Sequence, residues 1–241
     1  FDSDYNFVFF IKIKNYLYHY ESYKIQNMRK EIISRDDVIA YFKEGNKLPK
    51  RLNIGVEHEK FIFEKTTDQR INFQIVTKIF NFLAKFGWKP VKESNNVVAL
   101  LRDEQKITLE PGNQLELSGE KFNSVHLICE ESYKFENELK QACESLNLKM
   151  ISVSYDPISR LKDTPKTPKQ RYEIMNKEMP KNGKLSLHMM YQTCGTQINL
   201  DYTSEKDFVK KFKLSSFLVP ISTAIFANSS IIENRLSGYL S

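Results

Sequence analysis

The chain has 241 residues, of which 41% are hydrophobic and 27% charged, with a formal net charge of +6. This length and composition are typical of a globular protein that buries a sizeable core in one large or two small domains. The positive charge is dispersed, with no dense Lys/Arg tract and no aromatic-interleaved basic pattern, so we expect no nucleic-acid partner.

Residues 1–27 differ in composition from the rest of the chain, because they are rich in aromatic residues and contain no Gly, Pro or Met. The apolar run at residues 7–11 is too short to span a bilayer, and no signal-peptide pattern is present. We predict that residues 1–27 are translated upstream sequence outside the fold, that Met28 is the natural start, and that residues 28–241 form one domain. A tail that touches a membrane is the second interpretation of residues 1–27; elsewhere we expect no membrane partner.

The remaining chain alternates between helical and strand periodicity, without internal repeats. Apolar spacing, capping residues and turn residues predict the following elements in chain order: a helix over 34–44 capped by Ser34, a strand over 54–63, a helix over 71–86, a hairpin of 97–101 and 106–110, a strand over 114–118, a long amphipathic helix over 125–146, a strand over 150–155, a loop over 156–170, a strand over 193–202, and a helix capped by Ser204 and interrupted at Pro220, with a buried helical run to residue 230.

Two pairs of glutamates occupy these predicted strands. Glu57 and Glu59 leave the same face of their strand, and Glu110 and Glu116 flank the Pro-Gly-Asn turn at residues 111–113. Two carboxylates about 4 Å apart repel by on the order of 4 kcal/mol at an effective dielectric near 20. A fold that gathers four of them needs protons, basic partners or a divalent cation, and Mg²⁺ suits rigid oxygen ligands beside nucleotide phosphates. A solvated strand face, where Glu is ordinary, is the alternative interpretation.

Two further segments carry polar groups that could contribute to a site. The loop before residue 172 gathers Lys166, Lys169 and Arg171, which could hold a phosphate or a carboxylate, although on charge alone a solubilising loop is favoured. The strand over 193–202 places Gln197 and Asn199 on one polar face, which is unusual for a buried strand unless it lines a wet site.

The cysteines and histidines indicate no further chemistry. Cys129, Cys143 and Cys194 have no metal-ligand spacing and are odd in number, so we predict reduced thiols and a cytoplasmic location. The first two are assigned to the apolar stripe of a helix, and the third to the core. His58 faces away from the flanking glutamates, so a core or supporting role is expected rather than metal ligation.

Five sequence blocks occur in a fixed order along the chain: EHEKF (57–61), LEPGNQLELSG (109–119), PKQRYEIM (168–175), TCGTQINLDY (193–202) and PISTAIFANSS (220–230). This series resembles the plant and proteobacterial type of glutamate–cysteine ligase, from about residue 34 to the last residue. The resemblance implies an α+β fold of the glutamine-synthetase-like type, with flanking helices on a curved, mostly antiparallel sheet. It also implies that the chain is the N-terminal portion of the ligase domain, truncated at its C-terminus.

The resemblance implies a reaction and a set of site residues. The reaction is ATP-dependent ligation of the γ-carboxylate of L-glutamate to the amino group of L-cysteine through an acyl phosphate, the first step of glutathione biosynthesis. The implied partners are glutamate, cysteine and ATP as co-substrate, with Mg²⁺ or Mn²⁺ as cofactor and no protein nucleophile. The implied metal ligands are Glu57, Glu59, Glu110 and Glu116, assisted by Gln197. The implied substrate-binding residues are Arg171, Tyr172 and Asn199.

The chain departs from the family pattern in three respects. Asn113 stands where the family usually has Gly, and Lys210 and Lys213 stand where it has Arg. Lys keeps the positive charge but cannot bind an anion in the bidentate geometry of Arg. The predicted truncation implies weak or absent activity of the chain alone and an unpaired sheet edge prone to association. Three alternatives stay open: a related ligase that uses another amine, a two-carboxylate glycosidase, and a non-catalytic basic binding protein.

Overall fold

The structure is a computed structural model that describes residues 34–181 and 183–240. The predictions for residues 1–27 and for a start at Met28 lie outside the described residues. The chain divides into two units, residues 1–44 and 45–241. In the described part of the first unit, α1 (Arg35–Glu44) begins after Ser34.

Ser34 caps α1 as the sequence predicts. Its hydroxyl accepts a hydrogen bond from the amide of Asp37 at 3.2 Å, and the Asp37 carboxylate accepts one from the Ser34 amide at 2.9 Å. This reciprocal pair satisfies two of the amide groups that a helix start leaves without intrahelical partners.

The second unit contains both strands and helices, and four of its strands follow one another without a helix between them. Its elements are β1 (Ile54–Glu64), α2 (Phe73–Leu83), β2 (Lys89–Glu93), β3 (Asn96–Arg102), β4 (Gln105–Leu109), β5 (Leu115–Phe122), α3 (Val125–Ser145), β6 (Leu148–Ile151), α4 (Gln170–Glu178), α5 (Ser186–Gln192), β7 (Thr196–Leu200), α6 (Glu205–Phe226), β8 (Ile231–Ile232) and β9 (Arg235–Leu236). Short 3₁₀ helices lie at Pro49–Arg51, Ala84–Phe86, Leu161–Asp163 and Met179–Lys181.

Seven of the strands form one sheet in which every pair is antiparallel. Its order is β2-β3-β4-β5-β1-β6, and β7 also pairs with β1. Along one edge of β1, residues 54–58 pair with β7 and residues 61–64 pair with β6. The predicted α+β class and mostly antiparallel sheet are confirmed, although the sheet is uncurled, whereas the resemblance implied a curved one.

Helices α2 and α3 cover one face of this sheet. The side chains that meet there are apolar and fully or almost fully buried, and they include Ile62, Ile79, Leu83, Leu100, Ile107, Leu109, Leu115, Leu117, Phe135 and Leu139. Helix α2 begins where the Asn72 side chain accepts a hydrogen bond from the amide of Ile75. This face forms the main core, and it fixes the strands that carry polar residues on their other side.

The opposite face is covered only in part. Phe61, Phe63 and Cys194 form a smaller buried cluster there, packed against Ile151 and Val153. The predicted core position of Cys194 is therefore confirmed. By strand parity, Glu57 and Glu59 lie on the same face as this cluster, in the part of β1 that the cluster does not cover.

The interpretation of Cys129 as a core residue is wrong, because its side chain is exposed. The buried positions on α3 are residues 128, 131, 135, 138, 139, 142 and 143. At about 100° per residue, Cys129 falls just outside the arc of the helix that these buried positions occupy, so it faces solvent.

Helix α6 also differs from the prediction. Ser204 caps it as expected, accepting a hydrogen bond from the Asp207 amide at 3.2 Å, but the helix runs through Pro220 rather than stopping there. No α6 residue is buried among the described residues, and Phe217 and Phe226 are 72% and 76% exposed. The predicted buried packing of this run is therefore wrong for the described part of the chain. No helix in that part has both the length and the apolar composition that crossing a membrane requires.

Candidate metal and substrate site

Three glutamates from three parts of the sheet converge on its partly covered face. Glu59 lies on β1 directly opposite Glu116 on β5, and Glu110 follows the last residue of β4. One carboxylate oxygen from each lies within 4.8 Å of the other two. The register of β1 with β5 and the tight β4–β5 turn bring these groups together, and we call them the carboxylate cluster.

The β4–β5 turn explains why Glu110 and Glu116 meet although five residues separate them. The Glu110 amide donates to the Gln114 carbonyl at 2.9 Å, which closes the turn. Asn113 adopts a left-handed backbone conformation with φ +58°. Because Asn and Gly tolerate this conformation better than other residues, Asn113 meets the backbone requirement of the turn.

Glu116 is almost completely buried, with 1% of its surface exposed. The hydroxyls of Thr108 and Ser118 donate to its Oε1 at 3.0 and 2.9 Å. These bonds hold the carboxylate in one orientation. Carboxylate oxygens are the donors that Mg²⁺ and Mn²⁺ take, and three of them at this spacing are compatible with one such ion.

Glu57 and Gln197 lie on the same sheet face but outside the carboxylate cluster. They are directly opposite each other in the β1–β7 pair, and both bond to Asn199. The Asn199 amide donates to Glu57 Oε1 at 3.3 Å and accepts from Gln197 at 2.8 Å. The polar row beside the cluster therefore exists as the strand parity predicted, while the metal role of Glu57 and Gln197 stays a prediction.

The start of β7 is attached to the cluster through its backbone. The Gly195 amide donates to Glu59 Oε2 at 3.0 Å, and the Glu59 amide donates to the Gly195 carbonyl at 3.0 Å. Gly195, Gln197 and Asn199 alternate along one polar face of this segment. The attachment of Gly195 to Glu59 therefore brings Gln197 and Asn199 next to the carboxylates.

Arg171 and Tyr172 lie on the other side of the cluster. Arg171 Nη2 is 4.0 Å from Glu110 Oε1, and its guanidinium carbon is 4.6 Å from the centroid of the Tyr172 ring. The Tyr172 hydroxyl accepts from Arg171 and donates to the Leu109 carbonyl at 2.6 Å. Tyr172 is buried, and burial raises the pKa of its phenol well above the ordinary range. Its visible role is to support Arg171, whose side chain is 59% exposed.

Lys169 lies beside Arg171 and Tyr172, whereas its sequence context predicts only a basic loop. Its ammonium group is buried and donates to the Leu109 carbonyl at 2.9 Å. Burial lowers the pKa of Lys169 to about 8, with a contribution from the charge of Arg171, while Glu110 and Glu116 act in the opposite direction. The signal in the sequence was its place two residues before Arg171 in the PKQRYEIM block.

His58 faces away from the carboxylate cluster, as predicted, and the structure places it against α3. Its Nε2 lies 2.9 Å from the Ser132 hydroxyl. Burial lowers the pKa of His58, and the nearby charge of Lys60 lowers it further. The ring therefore belongs to the helix-covered face.

Residues 53–241 match the family described as glutamate-cysteine ligase family 2 (GCS2). Over 212 residues, or 88% of this chain, it is 40% identical to the chloroplastic glutamate–cysteine ligase of Nicotiana tabacum, 42% identical to glutamate–cysteine ligase A of Oryza sativa subsp. japonica, and 39% identical to the enzyme of Arabidopsis thaliana. The matched region is 41%, 43% and 41% of those relatives, so the chain spans less than half their length.

The named relatives are all chloroplastic, which contradicts the predicted cytoplasmic location. The prediction rested on cysteine usage, and a few free thiols distinguish a reducing from an oxidising environment but not one reducing compartment from another. The family match covers every element from β1 to β9 and all the site residues described above, and this chain belongs to glutamate-cysteine ligase family 2.

Proposed function

We propose that the chain contributes the metal-binding and part of the substrate-binding surface of an ATP-dependent ligase that joins the γ-carboxylate of L-glutamate to the amino group of L-cysteine. The observation that supports this most is the carboxylate cluster, with three oxygens within 4.8 Å of one another in a member of this family. The product would enter glutathione biosynthesis, and the names of the relatives favour a plastid as the compartment.

Glu59, Glu110 and Glu116 would hold Mg²⁺ or Mn²⁺, with Glu57 and Gln197 beside them as candidate additional ligands. A bound divalent ion would neutralise charge on the phosphates of ATP and orient the phosphoryl group that is transferred. The three carboxylates repel one another at this spacing, and a bound divalent cation would offset that repulsion. The hydrogen bonds from Thr108 and Ser118 pre-organise Glu116 for this role.

Arg171 and Asn199 would contact substrate from opposite sides of the carboxylate cluster. The exposed guanidinium of Arg171 can bind a carboxylate or a phosphate through two parallel hydrogen bonds. Tyr172 would act on substrate through Arg171, because its own ring is buried and its hydroxyl is used by Arg171 and the Leu109 carbonyl. Asn199 is exposed and near Glu57, where its amide could also reach a substrate polar group.

The chemistry has two steps and needs no nucleophile from the protein. A γ-carboxylate oxygen of glutamate attacks the terminal phosphorus of ATP, so ADP leaves and an acyl phosphate forms. The cysteine nitrogen then attacks the acyl carbon, phosphate leaves with the former carboxylate oxygen, and the nitrogen loses a proton. Positioning and electrostatic stabilisation of the charged groups would supply most of the rate enhancement.

The test is ADP formation by the 241-residue chain with ATP, Mg²⁺ and glutamate, with cysteine compared against a panel of other amines. We expect glutamate-dependent ADP release that is highest with cysteine, a hydroxamate product when hydroxylamine replaces it, and loss of both in Glu116→Gln. A preference for another amine would favour a related ligase. Turnover without ATP and in the presence of a chelator would overturn the proposal in favour of a hydrolase.

If the chain shows no turnover, a measurement of ATP binding tests the metal and nucleotide assignment separately from ligation. If ATP then binds only with Mg²⁺ present and not to Glu116→Gln, the metal and nucleotide assignment stands and ligation by this chain alone is ruled out. If the affinity for ATP is the same with and without Mg²⁺ and is unchanged in Glu116→Gln, the carboxylate cluster is not the nucleotide site.

A further inference from the structure

The turn that carries the carboxylate cluster is held by a buried arginine from a distant part of the chain. The side chain of Arg70 is 1% exposed. Its Nη2 donates to the carbonyl of Gly112, at the centre of the turn between Glu110 and Glu116, and its Nη1 lies 3.5 Å from the Tyr191 carbonyl. The guanidinium therefore links the turn to the end of α5.

A buried carboxylate fixes this guanidinium in turn. Arg70 Nη1 donates to Asp156 Oδ2 at 3.0 Å, and Asp156 has no exposed surface. The other Asp156 oxygen accepts from the amides of Ile158 and Ser159, both at 2.9 Å. Because Arg70 and Asp156 are both buried and each bonds to more than one group, the position of the guanidinium is set by several contacts.

The same guanidinium also packs on β1. Its central carbon lies 4.2 Å from the centroid of the Phe61 ring, and Phe61 is two residues beyond Glu59 on the same strand face. A cation over an aromatic face is an attractive contact, stronger when it is shielded from water. Arg70 thus contacts both β1, which carries Glu59, and the turn between Glu110 and Glu116.

The local sequence permits this close approach. A Cβ atom on Gly112 would lie 2.6 Å from the Tyr191 carbonyl oxygen and 3.3 Å from Arg70 Nη2, so only Gly fits without displacement of backbone. On the other side of the turn, the Thr167 hydroxyl donates to the Glu110 carbonyl at 2.6 Å. The turn is therefore held from two sides by segments far away in sequence.

We propose that Arg70 is a positioning residue that sets the spacing of the carboxylates of Glu59, Glu110 and Glu116, and through it the affinity of the cluster for a divalent cation. Neither Arg70 nor Asp156 contacts the cation in this account. The inference rests on the proposed function, because it requires the carboxylate cluster to bind such a cation.

Replacing Arg70 with Lys tests the role of the planar fork while keeping the charge. An ammonium group is a point charge, so it cannot reach Asp156 and the Gly112 carbonyl with the geometry of a guanidinium. Partners that orient metal ligands in this way typically contribute about 10- to 100-fold to metal affinity. We expect a loss of this size for Arg70→Lys.

Arg102 provides a matched control on the helix-covered face. Its Nη1 donates to Glu138 at 2.7 Å and to the Phe86 carbonyl at 3.1 Å, and its central carbon lies 4.1 Å from the Trp88 ring. It therefore has the same three kinds of partner as Arg70: a carboxylate, a carbonyl and an aromatic ring. None of its partners belongs to the carboxylate cluster or to the β4–β5 turn, so Arg102→Lys should lower stability without changing metal affinity.

The experiment is a titration of the 241-residue chain with Mn²⁺, followed by electron paramagnetic resonance, for wild type, Arg70→Lys, Arg102→Lys and Glu116→Gln. Circular dichroism checks that each variant is folded at the titration temperature. The account predicts weaker Mn²⁺ binding for Arg70→Lys and Glu116→Gln, and wild-type binding for Arg102→Lys. If Arg70→Lys does not fold, Asp156→Asn replaces it, since Asn keeps the acceptor for the Ile158 and Ser159 amides while the charge is removed; it too should bind more weakly.

The outcomes distinguish the two proposals. If Arg70→Lys, or Asp156→Asn in its place, binds Mn²⁺ like wild type while Glu116→Gln binds weakly, the inference about Arg70 is overturned and the metal site stands. If Arg102→Lys loses as much affinity as Arg70→Lys, a general loss of stability explains the effect and the inference is again overturned. If wild type binds no more tightly than Glu116→Gln, the proposed metal site itself fails, and the inference falls with it.

Discussion

The same strands of the seven-stranded sheet carry apolar side chains on one face and charged side chains on the other. On β5, Leu115 and Leu117 are fully buried against α2 and α3, whereas Glu116 between them lies on the other face, in the carboxylate cluster. On β1, Ile62 packs into the main core, while Glu59 lies on the other face and belongs to the carboxylate cluster. Period-2 alternation thus builds a hydrophobic core on one face and a charged site on the other.

The difference between the faces is energetic as well as chemical. Each fully buried Leu or Phe on the helix-covered face contributes about 1.5–3 kcal/mol through removal of apolar surface from water. The carboxylate cluster gathers like charges, whose mutual repulsion lowers stability, while the nearby positive charges of Arg171 and Lys169 act against that repulsion. The helix-covered face therefore carries most of the stability, and the other face can hold a site that costs stability.

The largest expected effect comes from removing a large side chain from the helix-covered face. Phe135 on α3 is 1% exposed in the main core, so Phe135→Ala should lower the free energy of unfolding by about 3–5 kcal/mol. Mn²⁺ affinity of the folded variant should equal that of wild type. Urea unfolding followed by circular dichroism measures the first quantity, and Tyr133→Ala, at a 70% exposed position of the same helix, is the control. A change in Mn²⁺ affinity in Phe135→Ala would show that the two faces are coupled.

The next effect tests the turn on the charged face. Asn113 is buried at φ +58°, and its amide donates to the Ile71 carbonyl at 3.1 Å. Asn113→Ala loses this bond and keeps a backbone conformation that Ala disfavours, so it should cost about 2–3 kcal/mol. Asn113→Gly should cost less, since Gly accepts positive φ. Equal losses for the two variants in urea unfolding would mean that the backbone conformation does not matter here.

A smaller effect of opposite sign is expected in the carboxylate cluster. Glu116→Gln removes one of three neighbouring negative charges and keeps an oxygen that can accept from Thr108 and Ser118. Without metal, the variant should be more stable than wild type by about 1 kcal/mol in thermal or urea unfolding. Glu130→Gln, at an exposed position of α3, should leave stability unchanged. A destabilised Glu116→Gln would argue against repulsion within the cluster.

The smallest effect concerns pH and the helix-covered face. Burial lowers the pKa of His58 below its ordinary value of 6.5, so the unfolded chain binds a proton that the folded chain does not. The stability contribution is fully present above the unfolded pKa of about 6.5 and is lost as the pH falls from there through the lower folded pKa. Urea unfolding between pH 8 and about 5.5 should show this slope in wild type and a shallower one in His58→Gln. The exposed His126→Gln is the control, and identical slopes for all three proteins would contradict the assignment.

The sequence was sufficient for the strands and for the faces of their side chains. Alternation placed Glu57 and Glu59 on one face and His58 on the other, and the residues at 111–113 predicted the turn that the structure shows. These features depend on residues that are neighbours in the chain, and a local pattern records such neighbours directly.

The sequence was not sufficient for contacts between distant segments. Arg70 and Asp156 are separated by 86 residues, and no periodic pattern relates them. The burial of Lys169 depends on how its loop packs on β4. Helix α6 shows a related failure, because its apolar composition predicted burial, yet within residues 34–181 and 183–240 nothing buries Phe217 or Phe226.

The proposed function requires Glu59, Glu110 and Glu116 to form one divalent-cation site. Its most direct test is the dissociation constant of Mn²⁺ for wild type, Glu59→Gln and Glu116→Gln, with Glu131→Gln as the matched control, a buried carboxylate on the helix-covered face. We expect one tight Mn²⁺ site in wild type and in Glu131→Gln, and an affinity at least about tenfold weaker in each of the other two variants. Equal Mn²⁺ affinity in all four proteins would contradict it.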